Sequence, residues 1–178
     1  MRLMKAWAAV AMLGGIVLHA SAQRSDLSGT WKLNLAKSFM AGDHPSNDYE
    51  LTTVIENEGP EIKQTDVAKH VSMMNIPLPD SLTTRELIFD GKEHEAKGPS
   101  QFPGRPPASI TILSVWQGNT LLITESGVGF GGFTTTHRRY YLSDDKTQLI
   151  ELVESHSGFI GCSAGGDIFS RSAVDPGR

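Results

Sequence analysis

The chain has 178 residues, 20 acidic against 16 basic side chains, and a single cysteine, Cys162. That length fits one domain with a sizeable core, and the acidic balance, with Arg138-Arg139 as its longest basic run, excludes the basic patch on which nucleic-acid binders depend. One cysteine excludes an intrachain disulfide, so the core must hold by packing, and Cys162 itself is expected as a small buried hydrophobe.

The first element to be read is not part of a fold. Arg2 and Lys5 precede an apolar run from Ala6 to Leu18, and Ala20-Ser21-Ala22 follows as an A-x-A pattern. That order predicts a cleaved secretory signal peptide over 1–22, too short to be a spanning helix, with a single domain over 23–178. Losing Arg2 and Lys5 takes the formal charge from −4 to −6. The expected location is periplasmic or extracellular, with no transmembrane segment. No cysteine adjoins the cleavage point, so no lipid anchor is expected.

Beyond it, period-2 alternation dominates and helical periodicity is absent. Ten strands are predicted, over 29–35, 50–57, 60–67, 83–90, 93–97, 109–116, 120–126, 133–142, 148–155 and 167–172. Asn57-Glu58-Gly59-Pro60, Asp90-Gly91-Lys92, Gln117-Gly118-Asn119 and Ser143-Asp144-Asp145-Lys146 have the composition of tight turns. The other five connections, 36–49, 68–82, 98–108, 127–132 and 156–166, are longer and alternate strictly with the short ones. In a meander every second connection lies at the same end, so all tight turns gather at one end and all long loops at the other. The expected fold is all-β: a single up-and-down antiparallel barrel of eight to ten strands with a loop-rich mouth.

The first strand, Gly29-Thr30-Trp31-Lys32-Leu33-Asn34-Leu35, alternates with Trp31, Leu33 and Leu35 on one face. The direction of the strands places Trp31 at the tight end, together with Arg171 from the last strand. If the barrel closes there, the guanidinium can lie over the indole. A Gly-x-Trp on the first strand with an Arg from the last strand across it resembles the lipocalin (calycin) pattern, and ten strands look like the fatty-acid-binding proteins of that superfamily. "LSGTWKLNLAKS" followed by "YYLSDDKTQL" resembles a group of uncharacterised exported bacterial lipocalin-like proteins. The fixed points are Gly29, Trp31, the turn between Leu142 and Leu149, and Arg171. The Thr-Asp-Tyr motif and the disulfides of lipocalins are missing, so the resemblance implies a fold and gives Gly29, Trp31 and Arg171 a structural role.

Three motifs fail on context. Gly161-Cys162-Ser163-Ala164-Gly165 matches a nucleophile elbow, but no helix and no later His follow it, and a loop of small residues at the mouth is expected. Gly127-Val128-Gly129-Phe130-Gly131-Gly132 matches a dinucleotide loop, yet "FTTTHRRYYL" follows where a helix is required. His44, His70, His94, His137 and His156 never recur at a spacing that puts two imidazoles on one face, so neither metal nor cofactor is expected.

What remains is the mouth and the walls. Met73, Met74, Ile76, Leu78 and Phe130, with other long-loop apolar residues, must plug the barrel, line a lipophilic entrance or form a partner surface. On strand 133–142, His137, Arg139 and Tyr141 share one face, Arg138 and Tyr140 the other, and the apolar count leaves the inner face open. An inward Arg139 or Arg85 would meet a carboxylate head group as an inward Arg does in fatty-acid-binding barrels. The expected function is non-catalytic binding of a small lipophilic or amphipathic molecule. Arg85, Trp116, His137, Arg139, Tyr141, Met73, Met74 and Phe130 are the candidate contacts. The alternatives are a module docking a protein through loop 68–82 and a barrel enzyme using His137 with Glu125.

Overall fold

The computed structural model describes residues 24–40, 49–69, 72–73, 76–77, 80–98, 108–129, 132–158 and 161–172. The expected signal segment lies outside them. The alternating segments form ten long strands: β1 (Gly29–Leu33), β2 (Glu50–Glu58), β3 (Glu61–Lys69), β4 (Ser81–Ile88), β5 (Glu93–Lys97), β6 (Ser109–Gln117), β7 (Thr120–Gly129), β8 (Gly132–Leu142), β9 (Gln148–Ser157) and β10 (Gly161–Arg171). Every ladder is antiparallel. Sequence neighbours pair throughout except β4 with β5, and β1 pairs with both β2 and β10. The sheet thus rolls into an up-and-down barrel that is closed between β1 and β10. It stays open along one seam, where no ladder among the described residues joins β4 to β5.

Four connections differ from the pattern in the sequence. β10 begins at Gly161, not Asp167, so Gly-Cys-Ser-Ala-Gly is strand and not a mouth loop: Ser157 pairs with Gly161 and His156 with Cys162. Likewise Gly129 pairs with Gly132, so the ladder takes up the described part of the expected 127–132 loop. Small residues carry no apolar alternation, but their backbone N–H and C=O groups complete a ladder as well as any others. β1 stops at Leu33, a turn follows, and Phe39–Met40 resumes pairing on β10 opposite Gly165 and Gly166. Within the 68–82 segment Ser72–Met73 pairs with Ile76–Pro77.

Period-2 alternation sends one face of each strand inward. The half nearest the four tight turns is filled by Leu27, Trp31, Ile55, Ile62, Leu87, Leu121, Tyr140, Leu149 and Phe169, all buried. Trp31 anchors this end. Its Nε1 donates to the Leu27 carbonyl at 3.0 Å, and the Arg171 guanidinium lies 5.0 Å from the ring centroid. Arg171 sits opposite Trp31 in the closing ladder and its Nη2 donates to the Ser28 carbonyl at 2.8 Å. Gly29 is required beneath it: its φ is 142°, and a Cβ there would stand 3.4 Å from the guanidinium.

Candidate functional site

Above the apolar layer the same inward positions turn polar. Gln64 and Asp66 follow Ile62 on β3, Arg85 precedes Leu87 on β4, Glu125 follows Ile123 on β7, Arg138 precedes Tyr140 on β8, and Glu151 follows Leu149 on β9. Strand parity brings these side chains into one lumen, where they form a continuous chain. Asp66 accepts from Thr53 Oγ1 at 2.8 Å, from Gln64 Nε2 at 3.1 Å and from Arg85 Nη2 at 2.7 Å. Arg85 Nη1 donates to Glu125 Oε1, and Arg138 Nε donates to Glu125 Oε2 at 3.1 Å. Arg138 Nη1 and Tyr140 Oη, the latter at 2.6 Å, both donate to Glu151 Oε1. The chain reaches from β3 and β4 across the lumen to β7, β8 and β9. It ties together the two sides of the barrel that the open seam leaves without a ladder.

Burial shapes the chemistry of this chain. Desolvation pushes the Glu125 carboxyl up, but the Arg138 and Arg85 guanidiniums outweigh it and hold the group below an ordinary glutamate. Desolvation and then the Glu151 carboxylate push the Tyr140 phenol far up, so it stays a neutral donor. A carboxyl whose folded value is depressed stabilises the protein above its unfolded value, 4.5 for glutamate, and that stability is lost as the pH falls through the folded value. Urea midpoints measured from about pH 7 down to about pH 3 are expected to decline on the acid side of that value. A Glu125→Gln variant should show a shallower decline. An identical acid slope in both proteins would remove Glu125 as the source.

A cavity of about 320 Å³ opens directly on this chain. Asp66, Arg85, Arg138 and Glu151 form its charged wall, with Tyr49, Leu51 and Asp167 completing it. Burial, followed by the carboxylates of Asp167, Asp66 and Glu151, pushes the Tyr49 phenol up to about 12. A smaller recess of about 210 Å³ lies beside Arg138 and Glu125, under Ile110 and Gly127. Gly127 is needed there for close approach, since a Cβ would come within 2.8 Å of Ile110 Cγ2. A wider hollow, about 750 Å³, lies at the opposite end between Arg24, Asp26, Asn119 and Lys146. All four of those residues are solvent-exposed. The lumen, where buried charges converge on an interior space, is the candidate site. Compared with models of known protein families and with curated protein sequences, the chain matches none.

The residues singled out from the sequence divide sharply. Arg85 faces the lumen, but both terminal nitrogens are taken by Asp66 and Glu125. Trp116 is inward but low: its ring centroid lies 5.9 Å from that of Phe89, in the filled half beneath the cavity. Arg139, His137 and Tyr141 point outward, because Tyr140 and Arg138 hold the inner face of β8. Arg139 is half exposed and pairs at 3.7 Å with Glu154, also half exposed. Arg139→Ala is therefore expected to change stability by less than about 1 kcal/mol in thermal unfolding. A larger loss would give that pair a weight the exposure denies it. His137 and Glu125 lie on opposite faces of the sheet, so the expected acid–base pair does not form. The Met73 side chain, Met74 and Phe130 lie outside the described residues.

Sequence reasoning missed Tyr49, Asp66, Arg138, Glu151 and Asp167. A usable signal existed: Glu125 and Glu151 share strand parity with Leu121, Ile123 and Leu149, an acid in a face otherwise apolar. On the outer face, register achieves what spacing could not. The His137 and His156 rings lie 6.1 Å apart, and His156 Nδ1 is 3.0 Å from Cys162 Sγ. Cys162 is exposed, contrary to the burial expected of it. Among the described residues no three His, Cys, Asp or Glu side chains are placed to share a metal ion.

Proposed function

We propose that the protein is an exported, lipocalin-like binding protein that holds a small amphipathic molecule, without chemistry, in the mouth half of its barrel. The observation that carries this reading is the cavity of about 320 Å³ that opens on the buried charges above the filled half of the lumen. That volume is within the range of small-molecule sites, about 300 to 1,000 Å³. Its walls combine Leu51 and aromatic rings with a fixed polar network, the composition that orients an amphipathic guest. The signal-like segment 1–22 supports export. The indole–guanidinium contact where β1 closes on β10 supports the lipocalin-like assignment.

The purified protein should carry or take up a small molecule. Native mass spectrometry followed by solvent extraction is expected to show an added mass that disappears on extraction. A Leu51→Trp variant, which fills the cavity from its wall, should lose that mass while keeping its circular-dichroism spectrum. A bare mass in the starting protein, with no uptake from a panel of lipids, amines and acids, would overturn the binding reading.

A further inference from the structure

We propose that the mouth rim of the barrel docks on a lipid bilayer, dipping into the headgroup layer of a membrane that carries anionic lipid. The inference concerns the outside of the barrel, so it stands or falls separately from the guest in the lumen. Among the described residues the exposed large apolar side chains are Phe39, Leu82, Val128 and Phe133, at 61–70%. Phe39 lies over Gly166, at the middle of β10. The other three stand at the mouth, each one residue in from that end of its strand. Parity turns all three outward, since Arg85, Glu125 and Arg138 hold the inner faces of β4, β7 and β8. Val128 and Phe133 are register partners, and Leu82 is the partner of Val67 on β3. In the sequence, Phe130-Gly131 joins β7 to β8 and Gly158-Phe159-Ile160 joins β9 to β10 at the same end, and neither carries a charge.

Two features select a bilayer over a protein groove. The apolar points are not one patch: Leu82 is on one side of the open seam, Val128 and Phe133 on the other, with β5 and β6 between them. Points spread around a rim meet a plane, whereas a protein groove calls for a contiguous face. Charge is also sorted along the barrel. The four tight turns and their flanks carry Glu58, Glu61, Asp90, Glu93, Asp144 and Asp145 against Lys92 and Lys146. At the mouth, the described strand ends carry Lys69 and Lys97 against Glu50 and Asp80. An anionic surface therefore repels the tight-turn end and admits the mouth. Lys69 follows Val67 on the outer face of β3, where its stem can lie along acyl chains with the ammonium among phosphates. Lower on the outer wall, the exposed Lys63–Glu56 and Arg139–Glu154 pairs limit immersion to the rim.

Flotation with vesicles of phosphatidylcholine containing about one-quarter phosphatidylglycerol tests the rim directly. The protein should float with them, and Leu82→Asp, Val128→Asp and Phe133→Asp should each weaken the association about tenfold or more. All three positions are exposed, so each variant is expected to keep the circular-dichroism spectrum of the parent. Lys69→Gln should cost about fivefold on these vesicles and little on pure phosphatidylcholine. Phe133→Trp places a reporter at the rim, whose emission should move to the blue on vesicles and be quenched by brominated acyl chains. Trp31 and Trp116 lie in the filled half, so the difference from the parent isolates that reporter. Absence of flotation, or flotation indifferent to all three Asp substitutions, overturns the proposal. A dimer in solution that Phe133→Asp splits, with no association to vesicles, also overturns it and assigns the rim to a second copy of the chain.

Discussion

Arg138→Met is expected to lower the thermal midpoint by about 10 °C, equivalent to a loss of about 3–5 kcal/mol. Methionine preserves most of the side-chain stem but removes the guanidinium that stands between Glu125 and Glu151. Among the described residues Glu125 is then held by Arg85 alone, and Glu151, only 4% exposed, keeps the Tyr140 hydroxyl as its donor. Arg138 retains 24% of its side-chain surface, whereas the Glu125 and Glu151 side chains retain only 13% and 6%, so the carboxylates themselves have little access to solvent. Adding Glu151→Leu to Arg138→Met should recover part of the loss, because the cost lies in stranding a charge rather than in losing a bond. Urea unfolding of the single and double variants measures both quantities. A single-variant loss below about 1 kcal/mol would mean that cavity water screens the network as solvent screens a surface pair.

The second large effect belongs to the opposite end of the barrel. Trp31→Ala is expected to cost about 3–5 kcal/mol, as truncation of a fully buried aromatic does. Trp31→Phe retains an aromatic ring but gives up the Nε1 bond to the Leu27 carbonyl, a loss of about 1 kcal/mol plus some packing. Arg171→Ala in the wild-type background should cost about 0.5–1 kcal/mol, the value of a cation–π contact at an exposed position. With Trp31→Ala already present, the Arg171 substitution should cost less by the share of the ring contact, leaving only its bond to the Ser28 carbonyl to be lost. Equal costs in both backgrounds would dissolve the coupling that the 5.0 Å contact implies.

How far the sequence reveals this molecule depends on what carries the pattern. Where apolar and polar side chains alternate without a break, as in Thr30-Trp31-Lys32-Leu33, strand and inward face follow from hydrophobicity alone. The Gly29-Thr30-Trp31 start works as a marker because a large ring and a residue without Cβ are needed together under Arg171. The pattern fails where hydrophobicity is silent. Residues 161–166 are small, so their ladder with β9 is backbone chemistry that no side chain announces. On β8 both faces mix aromatic rings, imidazole and guanidinium, so parity cannot be settled from that strand by itself. It follows from its neighbours, since Tyr140 is opposite Leu121 on one side and Glu151 on the other. The acids of the lumen were hidden by the habit of reading a charge as a solvated residue. Here Asp66, Glu125 and Glu151 each have a guanidinium beside them, joined at Asp66 by a hydroxyl and an amide and at Glu151 by a phenol, that removes the need for water.

The closing ladder also separates two time scales in the assembly of the barrel. Every other long-strand ladder joins sequence neighbours, so hairpins can form within microseconds of one another. The β1–β10 ladder instead unites Trp31 with Arg171, about 140 residues along the chain, and bringing such distant segments together costs about 4 kcal/mol of chain entropy. No single hairpin offsets that cost, so the joining of the β1–β4 and β5–β10 meanders waits until each is almost complete, and the high sequence separation of this one contact slows the step. The indole beneath the guanidinium then acts as a clasp on a bracelet. It adds little to the early meanders and much to the lifetime of the joined barrel, so a weakened clasp shows itself in the rate of unfolding rather than the rate of folding.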